Sequence, residues 1–320
     1  MTLSYLARLL CLCLACFLVL HLAAGAVVAL FARPALRAAE RRRPRAAARL
    51  LLTLRLLPAA LALLVVVTLC VPSYLRLEPS ASSGEEVGFA LLAAALAGGV
   101  LWGRSMARAL AASIRSWRYL RECRRTASLR RVCGRAVWVM EGPGAQLMLA
   151  GLVRSRILIS RRVAEALPDA QLDAALRHES AHGAARDNLK RFCLLLAPGC
   201  FPFSRALEDA WVRASEFAAD DRAVAGDPER SVSLAEALVA VARMAPAESP
   251  ALATGLLAGT RHLADRVDRL LASIPPADEP ASAGTLWTAA TAVLAASPLL
   301  VIAQPEALAS VHSLLERLAH

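Results

Sequence analysis

The sequence predicts an α+β domain inserted between transmembrane α-helices, about four in number. Three observations carry this. Four long apolar runs are bordered by clusters of arginine or by turn-forming residues. Between the third and fourth runs the pattern changes to short β-type runs and then to amphipathic helices. Hydrophobic residues make up 57% of the 320 residues but aromatics only 5%, a balance that suits membrane helices better than an aromatic-rich soluble core.

The first run covers about Tyr5 to Ala32, with His21 its only basic group after Arg8. It is too long for a signal-peptide core, and no small-residue cleavage pattern leads into a polar start. The second run, Leu50 to Leu75, is interrupted only by Arg55 near one end. The third, Val87 to Trp102, extends through Ala107 if Arg104 snorkels to the interface. The fourth covers about Gly284 to Ala303.

The flanks orient these helices. Arg33, Arg37, Arg41, Arg42, Arg43, Arg45 and Arg49 separate the first and second runs. Glu78, Glu85 and Glu86 against Arg76 alone separate the second and third. Arg104, Arg108, Arg115, Arg118, Arg121, Arg124 and Arg125 follow the third. The positive-inside rule then places the N-terminus outside and the segment from about 104 to 283 in the cytoplasm. The expected layout is a membrane region at 1–103, a basic juxtamembrane helix at 104–135 and a cytoplasmic domain at 136–275. A linker at 276–283, a fourth span at 284–303 and a short outer tail at 304–320 follow.

The net charge of +11 is nearly all arginine beside apolar runs, so topology and contact with the lipid bilayer are its first reading. No direct nucleic-acid binding is expected, because no recognition motif accompanies the charge. The eight cysteines are scattered or lie inside apolar runs, and no disulfide framework is expected.

Within the cytoplasmic segment, Ala136–Glu141 and Gln146–Ala150 are short β-type runs split by Gly142-Pro143-Gly144, and Arg156–Ser160 is a third. A small antiparallel sheet or hairpin follows from them. Helices are expected at Arg161–Leu167, Asp169–Phe192, Ser204–Ala225, Ser231–Met244 and Pro250–Ser273. Cys193–Phe203 is apolar but too short to span, and reads as a buried turn or a dip into the interface.

The chemistry centres on His178-Glu179-Ser180-Ala181-His182, an HExxH pattern. Residues four apart share a helix face, so His178 and His182 can offer two imidazole nitrogens to one tetrahedral metal. Glu179 lies beside the open position, where a general base takes a proton from metal-bound water and passes it to the leaving amine. The pattern also arises by chance on helices, and the ordinary reading of a His pair is a surface face. A third ligand is required. Glu216 is the first candidate, with Asp220 four residues on to accept the second ring N–H of a ligand histidine. Glu208, Asp209 and Asp221 compete, and an acidic solvated face is the bland alternative. Asp187 follows His182 by five residues, about 140° around a continuous helix. It therefore reads as a supporting residue that holds the helix, through an arginine, rather than a ligand. The strand Gln146–Ala150 offers an edge for β-addition of substrate, or is an ordinary hairpin strand. His262, Arg213 and Arg222 are weak candidates for an oxyanion donor.

Arg156–Ser160, Gln171–His182, Arg186-Asp187-Asn188-Leu189, Glu216–Asp220 and Leu263–Leu271 together resemble the BlaR/MecR-type family of membrane zinc metallopeptidases, which are antirepressor regulators. The likeness covers about residues 136–272 and agrees with the membrane layout. It implies a gluzincin-like zinc metallopeptidase domain in a cytoplasmic loop of a bacterial inner-membrane protein. It implies one zinc ion held by His178, His182 and Glu216, with Glu179 as catalytic base. The family's best-known members sense β-lactams outside and bring about cleavage of a cytoplasmic repressor. Here only about Gln304–His320 follows the fourth run, with no penicillin-binding sensor domain and no SxxK motif, so a sensor partner protein is expected instead. Ser160 also stands where many relatives carry proline.

Three functions follow. The first is a regulatory endopeptidase acting on a cytoplasmic protein substrate, a transcriptional repressor among the candidates. The second is an HtpX-like quality-control protease that degrades damaged membrane proteins. The third is a non-enzymatic zinc-binding signalling scaffold, which would have no use for Glu179.

Overall fold

The structure is a computed structural model that describes residues 4–78, 88–141, 144–152, 154–244, 252–255 and 262–272, together with 306, 309, 310 and 313. The fourth apolar run, the linker before it and nearly all of the tail lie outside the described residues.

Three helical stretches are long and apolar enough to cross a membrane: Tyr5–Glu40, Pro44–Leu77 and Phe89–Thr126. The first is helix α1. The second is α2 (Pro44–Val65), a π-helical turn at Val66–Cys70, and α3 (Val71–Leu77). Pro44 begins α2 where no N–H is needed. Pro72 follows the π turn, and a residue that cannot donate to the preceding turn accounts for the local rewinding. The third stretch is α4. Leu12, Phe17, Ala62, Val66, Tyr74, Leu91 and Ala95 form the core of this bundle. Gly98 lets α4 approach α1 closely, since a Cβ there would lie 2.5 Å from the Leu14 carbonyl oxygen. A buried ion pair, Arg8 to Glu78 at 2.9 Å, closes one end.

Helix α4 ends at Thr126, and the expected basic helix gives way there to strand β1 (Ser128–Val132). Cys133 and Gly134, with φ of 47° and 74°, make a two-residue hairpin turn into β2 (Arg135–Met140). That pairing overrides the helical bias of an arginine-rich stretch. With β3 (Leu147–Ala150), β4 (Arg156–Ser160) and β5 (Ala253–Gly255), the strands form a sheet ordered β1-β2-β4-β3-β5. The expected antiparallel sheet is instead mixed, because β2 and β4 run parallel. Strand β3 is interior, flanked by β4 and β5, so of the two readings of Gln146–Ala150 the free edge for substrate addition is excluded and the ordinary strand stands. Part of the expected helix Pro250–Ser273 is this strand.

One sheet face, Val137, Val139, Leu147, Leu149, Ile157 and Ile159, packs on α5 (Arg161–Ala166), α6 (Asp169–Ala185) and α9 (Pro228–Arg243). The other face packs Met140, Met148 and Leu158 against Tyr119, Leu120 and Cys123 of α4. The mostly helical domain is thus laid directly on a helix that leaves the bundle. Ser160 caps α5: its hydroxyl accepts from the Val163 N–H, and a second donor, the Gln146 N–H, reaches it at 3.1 Å.

The long helix expected at Asp169–Phe192 is broken. Arg186 takes a left-handed conformation (φ 56°), separating α6 from α7 (Asp187–Leu196). Helix α8 (Phe203–Val224) then crosses α6, and α10 (Leu263–Leu271) packs against α8 and α9. The apolar stretch Cys193–Phe203 spans the end of α7 and the turn into α8, and that turn packs on α1 and α2.

Candidate metal centre

Helix α6 starts after Pro168 with Asp169 in its first turn, where a negative charge suits the helix dipole. Leu172, Ala175 and Leu176 anchor it in the core. His178 and His182 then project from one face, with their Nε2 atoms 3.1 Å apart. Helix α8 brings Glu216 to the same point. Its Oε2 lies 3.6 Å from His178 Nε2 and 3.7 Å from His182 Nε2. A triangle with those sides has a point about 2.0 Å from all three corners, the usual zinc–nitrogen and zinc–oxygen distance. These three residues are the one group among the described residues arranged to hold a metal ion.

Each imidazole is turned by a carboxylate. Asp220 Oδ1 lies 2.8 Å from His178 Nδ1, and Asp187 Oδ2 lies 2.7 Å from His182 Nδ1. Both Nε2 atoms are thereby aimed at Glu216. Asp187 overturns the expectation drawn from a straight helix. The left-handed residue Arg186 swings the chain round, so the fifth residue after His182 returns to its ring instead of pointing 140° away. Its second oxygen accepts from Lys190 Nζ at 2.8 Å, so lysine, not arginine, is its cationic partner.

Two arginines complete the centre, and neither was singled out by spacing. Arg266 of α10 is 1% exposed and grips Asp220 with two hydrogen bonds, Nε to Oδ2 at 2.8 Å and Nη2 to Oδ1 at 2.7 Å. Its Nη1 lies 3.2 Å from Glu216 Oε2. Arg191 of α7 stacks over Trp211 and places Nη2 3.7 Å from Glu216 Oε1. The signal for Arg266 lay in the repeated Asp-Arg of Leu263–Leu271; for Arg191 there was none.

The rivals for third ligand are occupied elsewhere or exposed. Glu208 pairs with Arg55 at 2.7 Å, Asp221 pairs with Arg269 and Asp209 is exposed. The suggested oxyanion donors are also engaged. Arg222 donates to the Ala181 carbonyl, Arg213 lies 3.8 Å from Glu40 and His262 lies 3.5 Å from Asp265.

Burial sets the electrostatics. His178, Glu179 and His182 are all 0% exposed. Neither Glu179 oxygen has a hydrogen-bond partner among the described residues. Burial pushes this carboxyl up to about 7, despite the opposing pull of the nearby histidines. Burial alone would lower His182, but the Glu216 charge and the Asp187 hydrogen bond carry it up to about 10. His178 is raised too, Asp220 outweighing burial and Arg266. Burial disfavours ionised Glu216 and Asp220, yet His182 holds the first well below the carboxylate range and Arg266 holds the second at about 2. The cluster therefore favours positive charge at its imidazoles. A divalent cation that displaces their protons meets the same demand, and the donor set of two imidazoles and a carboxylate fits it.

No protein-family model, curated protein or solved structure matches the chain.

Proposed function

We propose that the chain is an integral-membrane zinc-dependent endopeptidase that cleaves a cytoplasmic protein, with a transcriptional repressor the first candidate substrate. The observation that carries this is the meeting of His178 Nε2, His182 Nε2 and Glu216 Oε2 within 3.7 Å of one another, beside a buried Glu179 that has no hydrogen-bond partner among the described residues. A structural metal site has no need of that fourth group.

His178, His182 and Glu216 hold the metal in this reading. Zinc at this position supplies Lewis acidity and makes water available for deprotonation near neutral pH. Glu179 is the proton carrier. Buried beside the two histidines, it accepts a proton from the attacking water and returns it to the leaving amine nitrogen. Asp187 and Asp220 keep both Nδ1 atoms as donors, so both Nε2 atoms stay free to ligate. Arg266 and Arg191 offset the negative charge of Glu216 and Asp220. Helix α10 packs on α8 and strand β5 on α6 and α7, and His178, Glu179, His182 and Glu216 are all buried. The arginines between the first two apolar runs and along α4 support an orientation with the N-terminus outside and this centre in the cytoplasm.

The test is zinc content and proteolysis of wild type, Glu179→Gln and Glu216→Ala in parallel. Expected are zinc without cleavage in Glu179→Gln and loss of both in Glu216→Ala. Retained cleavage in Glu179→Gln refutes the reading.

A further inference from the structure

An arginine inside an apolar helix needs a reason, because bare charge in hydrocarbon is costly. Arg55 lies within the second apolar run and its side chain is 3% exposed. Its guanidinium faces the turn between α7 and α8. Nη2 donates to the Ala197 carbonyl at 3.1 Å and Nε to Glu208 Oε1 at 2.7 Å, and Nη1 lies 3.4 Å from the Pro198 carbonyl. Helix α1 is shaped to the same turn. The Phe201 ring fills the space over Gly25, where a Cβ would lie 1.9 Å from its Cζ. His21 sets its ring 5.6 Å from that of Phe201 and its Nε2 3.5 Å from Cys200 Sγ.

The depth of this contact follows from helix rise. Gly25 lies seven residues inside the run that ends at Ala32, about 10 Å. Arg55 lies five residues inside the run that begins at Leu50, about 8 Å. Two helices thus place the turn at the same depth within the apolar layer. Irregular backbone survives there only where its polar groups are satisfied, and Arg55 does this for two carbonyls.

We infer that residues 197–203 form a re-entrant segment, inserted into the bilayer beside α1 and α2, whose exposed residues Gly199, Cys200 and Pro202 contact lipid acyl chains. The inference rests on α1 and α2 spanning the membrane and not on peptidase activity. It also sets the height of the metal centre. Helix α8 runs unbroken from Phe203, and Glu216 is thirteen residues on, about 20 Å. Glu216 then lies roughly 10 Å beyond the hydrocarbon edge, just past the Arg213–Glu40 contact at the α1–α2 turn.

The unmodified chain, reconstituted in phosphatidylcholine and phosphatidylglycerol vesicles containing a lipid with a diazirine in its acyl chain, is irradiated and mapped by mass spectrometry. Adducts within residues 197–203, alongside those on α1, α2 and α4, are expected. Adducts on the three helices with none in 197–203 overturn the inference. A second reading uses a nitroxide at Cys200, the other seven cysteines being replaced by serine. Expected is a collision rate with oxygen above that with a water-soluble nickel chelate; the reverse order overturns the inference. Neither readout involves zinc or cleavage, so a chain without peptidase activity still tests it.

Discussion

Replacing Asp187 tests the geometry that a straight helix would not have produced. The Asp187 carboxylate meets His182 Nδ1 at 2.7 Å, with both side chains buried (0% and 4% exposed). A charge-assisted hydrogen bond of this kind is worth about 1.5–3 kcal/mol. Each 1.4 kcal/mol is roughly tenfold in affinity, so Asp187→Ala is expected to weaken zinc binding by about 10–100-fold. Asp187→Asn keeps an acceptor but loses its charge, and about tenfold is expected. The assay is competition for zinc against a chelating fluorophore, on the full chain in detergent, with circular dichroism to confirm folding. Asp173→Ala is the control: it sits on the same helix, paired with Arg135 at 2.7 Å and Arg177 at 2.6 Å, away from the metal. Unchanged zinc affinity in a folded Asp187→Ala chain, or an equal loss in Asp173→Ala, refutes the argument.

Stability of the metal-free chain should fall as pH rises from about 5 to 10. Glu179, raised to about 7, becomes a buried charge on the way, and His182 loses through about 10 the stability it carries below its ordinary value of about 6.5. Glu216 and Asp220, both lowered, add stability above about 4 that is lost as pH falls further. Thermal melts in EDTA across this range check both signs, and a rise between neutral pH and about 9 contradicts them. Ser160→Ala removes the acceptor for two backbone donors and should cost about 1–2 kcal/mol by melting temperature. Ser160→Pro should cost more, because it also deletes the Ser160 N–H bond to the Gln146 carbonyl at 2.8 Å. Gly25→Ala forces a methyl into the Phe201 ring and should cost about 1–3 kcal/mol, read the same way, whereas the same change at exposed Gly103, with open space around it, should be neutral or stabilising.

The candidate metal-binding face was legible because it uses the simplest rule, four residues per shared helix face. His178 with His182, and Glu216 with Asp220, each obey it, and α6 crossing α8 brings the pairs together. Asp187 was legible as a supporting residue but not as the partner of His182, because the rule fails at a left-handed residue, and Arg186 carries no glycine-like mark of one. Arg266 comes from a separate helix 46 residues after Asp220, a distance no local pattern spans. The sheet was harder still. Strand β5 pairs with β3 across about a hundred residues, and β1 is an arginine-bearing strand that takes its conformation from β2. Three apolar runs were legible as helices long enough to span, but nothing in them revealed that Arg55 and Gly25 serve a turn that lies 142 residues beyond Arg55.

Helices α7 and α8 lead away from the same embedded turn like the two tines of a fork. One tine carries Asp187 against His182, and the other carries Glu216 itself. The handle sits in lipid, so hydrophobic mismatch acts on the metal donors from a distance. A bilayer that thickens or thins tilts α1 and α2, the handle pinned to them by Arg55 and Phe201 tilts too, and the spacing of the two tips shifts with it. Zinc affinity then becomes a function of acyl-chain length. The same chain reconstituted in short-chain and long-chain phosphatidylcholine should bind zinc differently, and equal affinity in both would show that the fork does not bend.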